Sequence, residues 1–224
     1  MIPSSVKLGL LSPGGTPPND IHTTFTKFLG KRVSIIAKGA LDGLNDEGLH
    51  EMEAQSGEIP LEVQLRSGVV FGLSKHRVMS RLILSAKELS HTCDRVLLLC
   101  SGEFPELAKA CPDVIQPIVM LRGILTAAAH TRLLGLIGPA DDLPAAPAQW
   151  RPYVPNVICA AASSTQSLTE IATAGRFLAD QNADLIYMDC MGFTESQRQA
   201  VAHKTGLPVL AATTLVGRSL CEIL

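Results

Sequence analysis

The strongest constraint on the fold is a stretch that occurs twice. Asp184-Leu185-Ile186-Tyr187-Met188-Asp189-Cys190-Met191-Gly192-Phe193 has a counterpart ninety residues earlier, Asp94-Arg95-Val96-Leu97-Leu98-Leu99-Cys100-Ser101-Gly102-Glu103-Phe104. Each copy reads Asp, five residues, Cys, one residue, Gly, and each is a short apolar run of the kind that forms a buried strand, followed by a helix opening. A second echo accompanies the first: Leu134-Gly135-Leu136-Ile137-Gly138-Pro139 repeats Leu8-Gly9-Leu10-Leu11-Ser12-Pro13. Two motifs recurring in the same order mark a structural duplication.

Between the echoes, strands alternate with helices. Strands are expected at 6–11, 33–37, 94–100, 115–120, 134–138, 157–161, 184–190 and 207–211. Helices are expected at 19–29, from 74 toward 90, after Pro105, at 121–130, from 167 to 180 with a Ser167/Glu170 capping box, from 194 with a Thr194/Gln197 box, and at the C-terminus. Residues 61–73 alternate apolar and polar around Ser67-Gly68 and predict a hairpin. The proline-rich segment 139–155, with Trp150, is either a mouth over a pocket or a structural wrap. The pattern predicts an α/β protein of two pseudo-symmetric lobes, each a mainly parallel sheet covered by helices, with the active-site cleft between them. The first lobe is expected to comprise 1–119 plus 211–224, including the hairpin, and the second 120–210.

Composition narrows the function classes. A formal net charge of −2, with no basic run, argues against nucleic acid and anionic membranes as partners. No basic segment followed by a long apolar run stands at the start, and no apolar stretch reaches the roughly 18 residues of a membrane span, so a cytoplasmic protein is expected. Six cysteines in such a chain are expected to be reduced, and no metal-ligand spacing is present, so no metal is expected. Ser12-Pro13-Gly14-Gly15 is neither a Walker nor a dinucleotide motif; Gly14 serves either a tight turn or backbone donors lining a pocket.

Ligands of open parallel sheets bind beyond the carboxyl ends of the strands, where Cys100 and Cys190 fall. A helix opening after each cysteine is expected to favour an anion and to make the thiol more acidic than usual. Gly102 and Gly192 allow the backbone close to a substrate. Two thiols flanking one carbon suit inversion: one removes the proton α to a carboxylate or carbonyl, the other returns one to the opposite face. Near-attack contacts on both sides put the sulfurs roughly 7 Å apart, whereas a disulfide needs about 2 Å. The bland reading is a pair of small apolar residues at buried strand ends, and a dithiol redox protein is a third. Asp189 either meets a substrate ammonium or makes a structural hydrogen bond. Arg122 and Thr213 follow the last strands of the two halves; Arg122 is either a clamp for a second acidic group or a solvated cation.

The segment 183–193, the closing Leu207-Pro208-Val209-Leu210 and Gln149-Trp150 resemble the AroM-type branch of the aspartate/glutamate racemase superfamily. The resemblance implies a cofactor-independent racemase, isomerase or decarboxylase with one catalytic cysteine per lobe. By that resemblance Cys100 and Cys190 are the acid/base thiols, Ser12 and Pro13 line the pocket, and Ser101, Gly102, Met191 and Gly192 hold the carboxylate. Amino-acid racemases of the superfamily usually place Asn or Thr after each cysteine; Ser101 partly keeps that role and Met191 does not. Two functions of different class follow: a racemase/isomerase for a small carboxylate or amino-acid-like substrate, or a sensor that binds such a ligand without chemistry. A homodimer through the 61–73 hairpin is also expected.

Overall fold

The computed structural model describes residues 6–17, 19–58, 60–64, 70–128 and 131–224. The turn expected at Ser67-Gly68 and the helix end expected at His130 lie outside them. The chain divides into two compact units, the first closing at Gln116 and the second running from Pro117 to Ile223.

In the first unit, β1 (Val6–Ser12) lies between β2 (Val33–Gly39) and β5 (Arg95–Leu98), and β6 (Val114–Ile115) completes the sheet in the order β2-β1-β5-β6. In the second, β7 (Leu134–Gly138) lies between β8 (Val157–Ala161) and β9 (Leu185–Met188), with β10 (Val209–Ala211) outside β9, in the order β10-β9-β7-β8. Every pairing in both sheets is parallel. Matching β1 with β7, β2 with β8, β5 with β9 and β6 with β10 makes the two strand orders identical. The duplication implied by two short echoes is therefore a duplication of topology.

Continuous apolar runs suit strands enclosed by helices on a parallel sheet. All of β7 is buried, and so are Leu8, Leu10 and Leu11 of β1. Each fully buried leucine contributes about 1.5–3 kcal/mol relative to exposure. The helices α1 (Asn19–Leu29), α3 (Lys75–Thr92) and α7 (Leu168–Asp180) turn apolar faces inward, with Val78, Met79, Leu82, Ala86 and Leu89 buried on α3. Space between sheet and helix is tight at equivalent points. A side chain at Gly9 would meet Leu89 at 3.3 Å, and one at Gly135 would meet Leu178 at 3.0 Å.

The repeated aspartates do the same work in both sheets. The Asp94 carboxylate accepts the Lys7 N–H at 2.8 Å, and the Asp184 carboxylate accepts the Leu133 and Arg132 N–H groups at 2.9 Å. Each ties the start of its strand to the start of the central one.

The short α2 (Asp46–Glu51) and the antiparallel pair β3 (Pro60–Gln64) and β4 (Val70–Ser74) fall where the sequence put a polar segment and a hairpin. Both expected capping boxes are present, at α7 and at α8 (Glu195–Thr205), and Gly206 closes α8 with a left-handed φ of 72°.

Two expectations change. The strand expected at 115–120 ends at Ile115, because Pro117 fits the first turn of a helix and opens α5 (Pro117–Ala127), which buries Ile118, Leu121 and Leu125. Residues 211–224 were expected with the first lobe, but Ala211 ends β10 and α9 (Ala212–Ile223) packs on α5 within the second unit. The apolar spacing of Val216 and Leu220 shows that the helix buries a face; it carries no sign of which partner it buries against.

Candidate functional site: two equivalent sheet ends

In the first unit, the end of β1 and the end of β5 are neighbours in register, Leu11 opposite Leu98, and the Leu99 N–H extends the ladder to the Leu11 carbonyl at 2.7 Å. Ser12, Pro13 and Gly14 thus come beside Cys100, Ser101 and Gly102 at one carboxyl edge. The Gly102 N–H donates to Cys100 Sγ at 3.4 Å. The Gly14 N–H donates to Ser12 Oγ at 3.1 Å, and the Gly14 carbonyl accepts from Leu41 at 3.0 Å. This loop lies on Gly39, where an added Cβ would stand 2.4 Å from the Gly14 oxygen. Of the two roles open to Gly14, the tight turn accounts for these bonds.

The second unit repeats the construction. Ile137 pairs with Met188, and the Asp189 N–H donates to the Ile137 carbonyl at 2.8 Å. The Gly192 N–H donates to Cys190 Sγ at 3.3 Å. Each helix, α4 (Pro105–Ala110) and α8, begins a few residues past its cysteine. In each unit the cysteine sulfur closes a small turn on the glycine N–H two residues on, and both cysteines are partly exposed.

The surroundings of Cys190 depart from the expectation of an acidified thiol. Although some of its surface is accessible, protein atoms enclose the sulfur on most sides, and this burial pushes the thiol up to about 11. The Gly192 N–H pulls the other way, and the carboxylates of Asp189 and Asp142 raise it further. The helix field was the wrong guide: it fades within about a turn, and α8 starts too far on.

Asp189 takes the structural alternative. Its carboxylate accepts the Trp150 indole N–H at 2.8 Å and the Tyr187 hydroxyl at 3.1 Å. Trp150 ends α6 (Ala146–Trp150), is fully buried, and meets Tyr187 edge-on at 5.2 Å and Tyr153 at 6.2 Å. The proline-rich segment is thus anchored to β9 through Trp150. The half-buried Arg122 joins the same cluster, its guanidinium 5.3 Å from the Tyr153 ring centre. Thr213 is fully buried, and its hydroxyl donates to the Met191 carbonyl at 2.7 Å, bracing the loop after Cys190 from behind. Met191 is itself buried. The structure thus gathers Asp189, Cys190, Met191, Gly192, Arg122 and Thr213 in one neighbourhood, with Arg122 set against the Tyr153 ring.

Sequence reasoning passed over three contributors. Tyr187 read as a buried strand residue, and its hydroxyl has no local signature. Gln197 was read only as a cap, yet its Nε2 also donates to the Ser164 carbonyl at 2.7 Å. Ser164 lies so close that a Cβ on Gly192 would stand 2.5 Å from its Oγ. Among the described residues, no helix is long and apolar enough to cross a membrane.

A family model described as AroM protein matches residues 8–224. The chain belongs to the AroM family. Solved structures of related fold cover almost the whole AroM chain. Arylmalonate decarboxylase is 13% identical with a TM-score of 0.61, covering 97% of this chain and 91% of its own. Allantoin racemase from Klebsiella pneumoniae is 12% identical with a TM-score of 0.57, covering 98% and 87%. A glutamate racemase from Bacillus anthracis is 12% identical with a TM-score of 0.58, covering 99% and 82%. These likenesses establish the aspartate/glutamate racemase-like fold of this AroM protein. No curated protein matches the sequence.

Proposed function

We propose that the protein is a cofactor-independent racemase or isomerase of a small carboxylate, with Cys100 and Cys190 moving a proton at the carbon α to a carboxylate or carbonyl. The observation that carries the reading is the matched setting of the two sulfurs: equivalent strand ends, equivalent glycine N–H donors and partial exposure in both. Core cysteines have no need of such a repeat.

In the proposed cycle a thiolate takes the α-proton, so the C–H bond breaks and an S–H bond forms. The electron pair moves into the adjoining carbonyl or carboxylate as an enolate. The other thiol then gives its proton to the opposite face, restoring a C–H bond and leaving a thiolate there. The two sulfurs exchange states, so the next turnover runs in the reverse sense. Because enclosure and two carboxylates hold Cys190 in its thiol form, Cys190 is the proton donor in the resting protein. The Ser101 hydroxyl and the backbone at Gly102 and Gly192 are the groups proposed to hold the substrate carboxylate.

A binding-only reading draws on Met191, whose buried side chain offers no hydroxyl where Ser101 does. One experiment separates the two. Small amino and hydroxy carboxylates and cyclic amides are incubated in deuterium oxide with wild type, Cys100→Ser and Cys190→Ser, and α-deuterium is followed by NMR. Exchange that both substitutions abolish supports the enzyme. Tight binding with no exchange, unchanged by either substitution, replaces it with the sensor.

A further inference from the structure

The loop between β8 and α7 reaches further than its strand requires. β7 separates β8 from β9 in the sheet, yet Ser164, in the loop after β8, arrives at the turn after β9. A Cβ at Gly192 would stand 2.5 Å from Ser164 Oγ and 3.5 Å from Cys190 Sγ, so the hydroxyl and the sulfur border the same point. Three bonds hold the loop there. The Ala162 N–H donates to the Gly138 carbonyl at 2.9 Å, the Ser163 N–H to Gln166 Oε1 at 2.8 Å, and Gln197 Nε2 to the Ser164 carbonyl at 2.7 Å. The carbonyl of the half-buried Ser164 is thus engaged, while its hydroxyl has no protein partner among the described residues.

The other groups at this sheet end are less available. Met191 carries a buried apolar side chain where the first unit has Ser101, and the Gly192 N–H is already on the Cys190 sulfur at 3.3 Å. In the first unit the loop after β2 stays beside the loop after β1, where the Asp42 carboxylate accepts the Thr16 N–H at 2.7 Å. A Cβ at Gly102 would meet only Cys100 Sγ and Phe104. Each cysteine turn therefore has one serine beside it, Ser101 in sequence and Ser164 in space.

We propose that Ser164 is the substrate-binding hydroxyl of the second sheet end, the counterpart of Ser101 in the first. Its O–H donates to a carboxylate oxygen of the substrate while the carbon bearing that carboxylate faces the Cys190 sulfur. A hydroxyl fixed in advance by its loop loses little freedom on binding, and its bond to a charged oxygen is stronger than one to a neutral oxygen. Because hydroxyl and sulfur border one point, the ligand class is a small molecule whose carboxylate sits directly on the reacting carbon. The proposal rests on the acid/base reading for the chemistry at Cys190; recognition of a carboxylate there is measurable without a natural substrate.

The probes are iodoacetate and iodoacetamide on the full chain, followed by mass spectrometry of the peptide that carries Cys190. In both a thiolate displaces iodide, from a carbon next to a carboxylate in one and next to an amide in the other. The ratio of their rates is therefore independent of how much thiolate is present. Ser164→Ala keeps the Cβ and removes the hydroxyl; it is expected to lower the iodoacetate-to-iodoacetamide ratio about fivefold, the loss of one hydrogen bond. Ser164→Thr keeps a hydroxyl and is expected to keep the wild-type ratio. A merely structural role would move the melting temperature and leave the ratio alone. A fall in Ser164→Ala that Ser164→Thr does not share supports the proposal. An unchanged ratio in Ser164→Ala, an equal fall in both variants, or a wild-type Cys190 that iodoacetate does not label overturns it. A fallen ratio without α-deuterium exchange removes the enzyme reading and keeps the carboxylate site, and exchange with an unchanged ratio does the reverse.

Discussion

Behind Cys100 the strand runs back through Leu99 and Leu98 into an apolar core, whereas behind Cys190 it runs back through Asp189 into a hydrogen-bonded aromatic cluster. Strand order, register and the glycine turn on the sulfur are shared by the two ends. The differences lie in the side chains that surround that shared frame. Duplication preserves backbone geometry because every strand must keep its neighbours, but it leaves side chains at strand ends free to diverge. Two sulfurs with the same backbone setting and different neighbouring side chains are what a stepwise proton transfer can use, since one group must accept a proton and another supply one.

The sharpest way to break the comparison is to remove each sulfur in turn. Cys100→Ser and Cys190→Ser are each expected to lower α-deuterium exchange by about 10²–10⁴-fold, the usual contribution of one general acid or base. A loss confined to one of the two would mean that the second sheet end has no part in the chemistry.

The glycines after the cysteines sharpen it next. A methyl at Gly192 would stand 2.5 Å from Ser164 Oγ and 3.0 Å from Ser164 Cβ, and Ser164 is pinned by Gln197. A methyl at Gly102 would meet only Cys100 Sγ at 3.5 Å and Phe104 at 3.6 Å, ordinary contacts. Gly192→Ala is therefore expected to destabilise by about 1–3 kcal/mol. Gly102→Ala is expected to be neutral, or stabilising by about 0.4–1 kcal/mol through a less flexible unfolded chain. Urea midpoints of the two variants measure the contrast.

Much of this frame was legible in the sequence, for reasons that name themselves. The two Asp-to-Gly stretches and the Leu-Gly echoes located the central strands, since parallel strands buried on both faces are written as unbroken apolar runs. Ser167/Glu170, Thr194/Gln197 and Gly206 marked helix ends because capping is local chemistry. Contacts between distant segments were not legible. Trp150 and Asp189 lie 39 residues apart, and neither carries a mark of the other. The acidity of Cys190 was misjudged for the same reason: enclosure by the segments around it outweighs a helix start read from sequence. The lodging of α9 against α5 is another distant pairing that periodicity does not record.

Protonation gives a subtler contrast. Because the folded Cys190 thiol is raised to about 11, above the roughly 8.5 of an unfolded thiol, its contribution to stability is fully present below about pH 8.5. It is lost as pH rises through the folded value. The wild-type melting temperature should therefore fall between about pH 8.5 and 11, with Cys159 adding in the same sense. Cys190→Ser should melt with a shallower alkaline slope. An identical slope would mean that enclosure does not hold the thiol as described.

The smallest effect is expected at the opposite ends of the same strands. Asp184 accepts from the Leu133 and Arg132 N–H groups and from the Arg132 guanidinium at 3.3 Å, while Asp94 accepts from the Lys7 N–H. The Leu133 N–H, followed by the Arg132 groups, holds the Asp184 carboxyl below its ordinary range. A depressed folded value stabilises above the unfolded one, about 3.9, and that contribution disappears as pH falls through the folded value. Asp184→Asn should consequently flatten the acid limb of the stability profile below about pH 4, and Asp94→Asn should change stability less at neutral pH because fewer donors lose their acceptor. The side chain is solvated, so the difference will be small, and thermal melts at pH 3 and pH 7 on both variants would reveal it. Equal losses from the two would show that the paired aspartates are tied to their central strands with equal strength, and that the two halves differ only at the ends that carry sulfur.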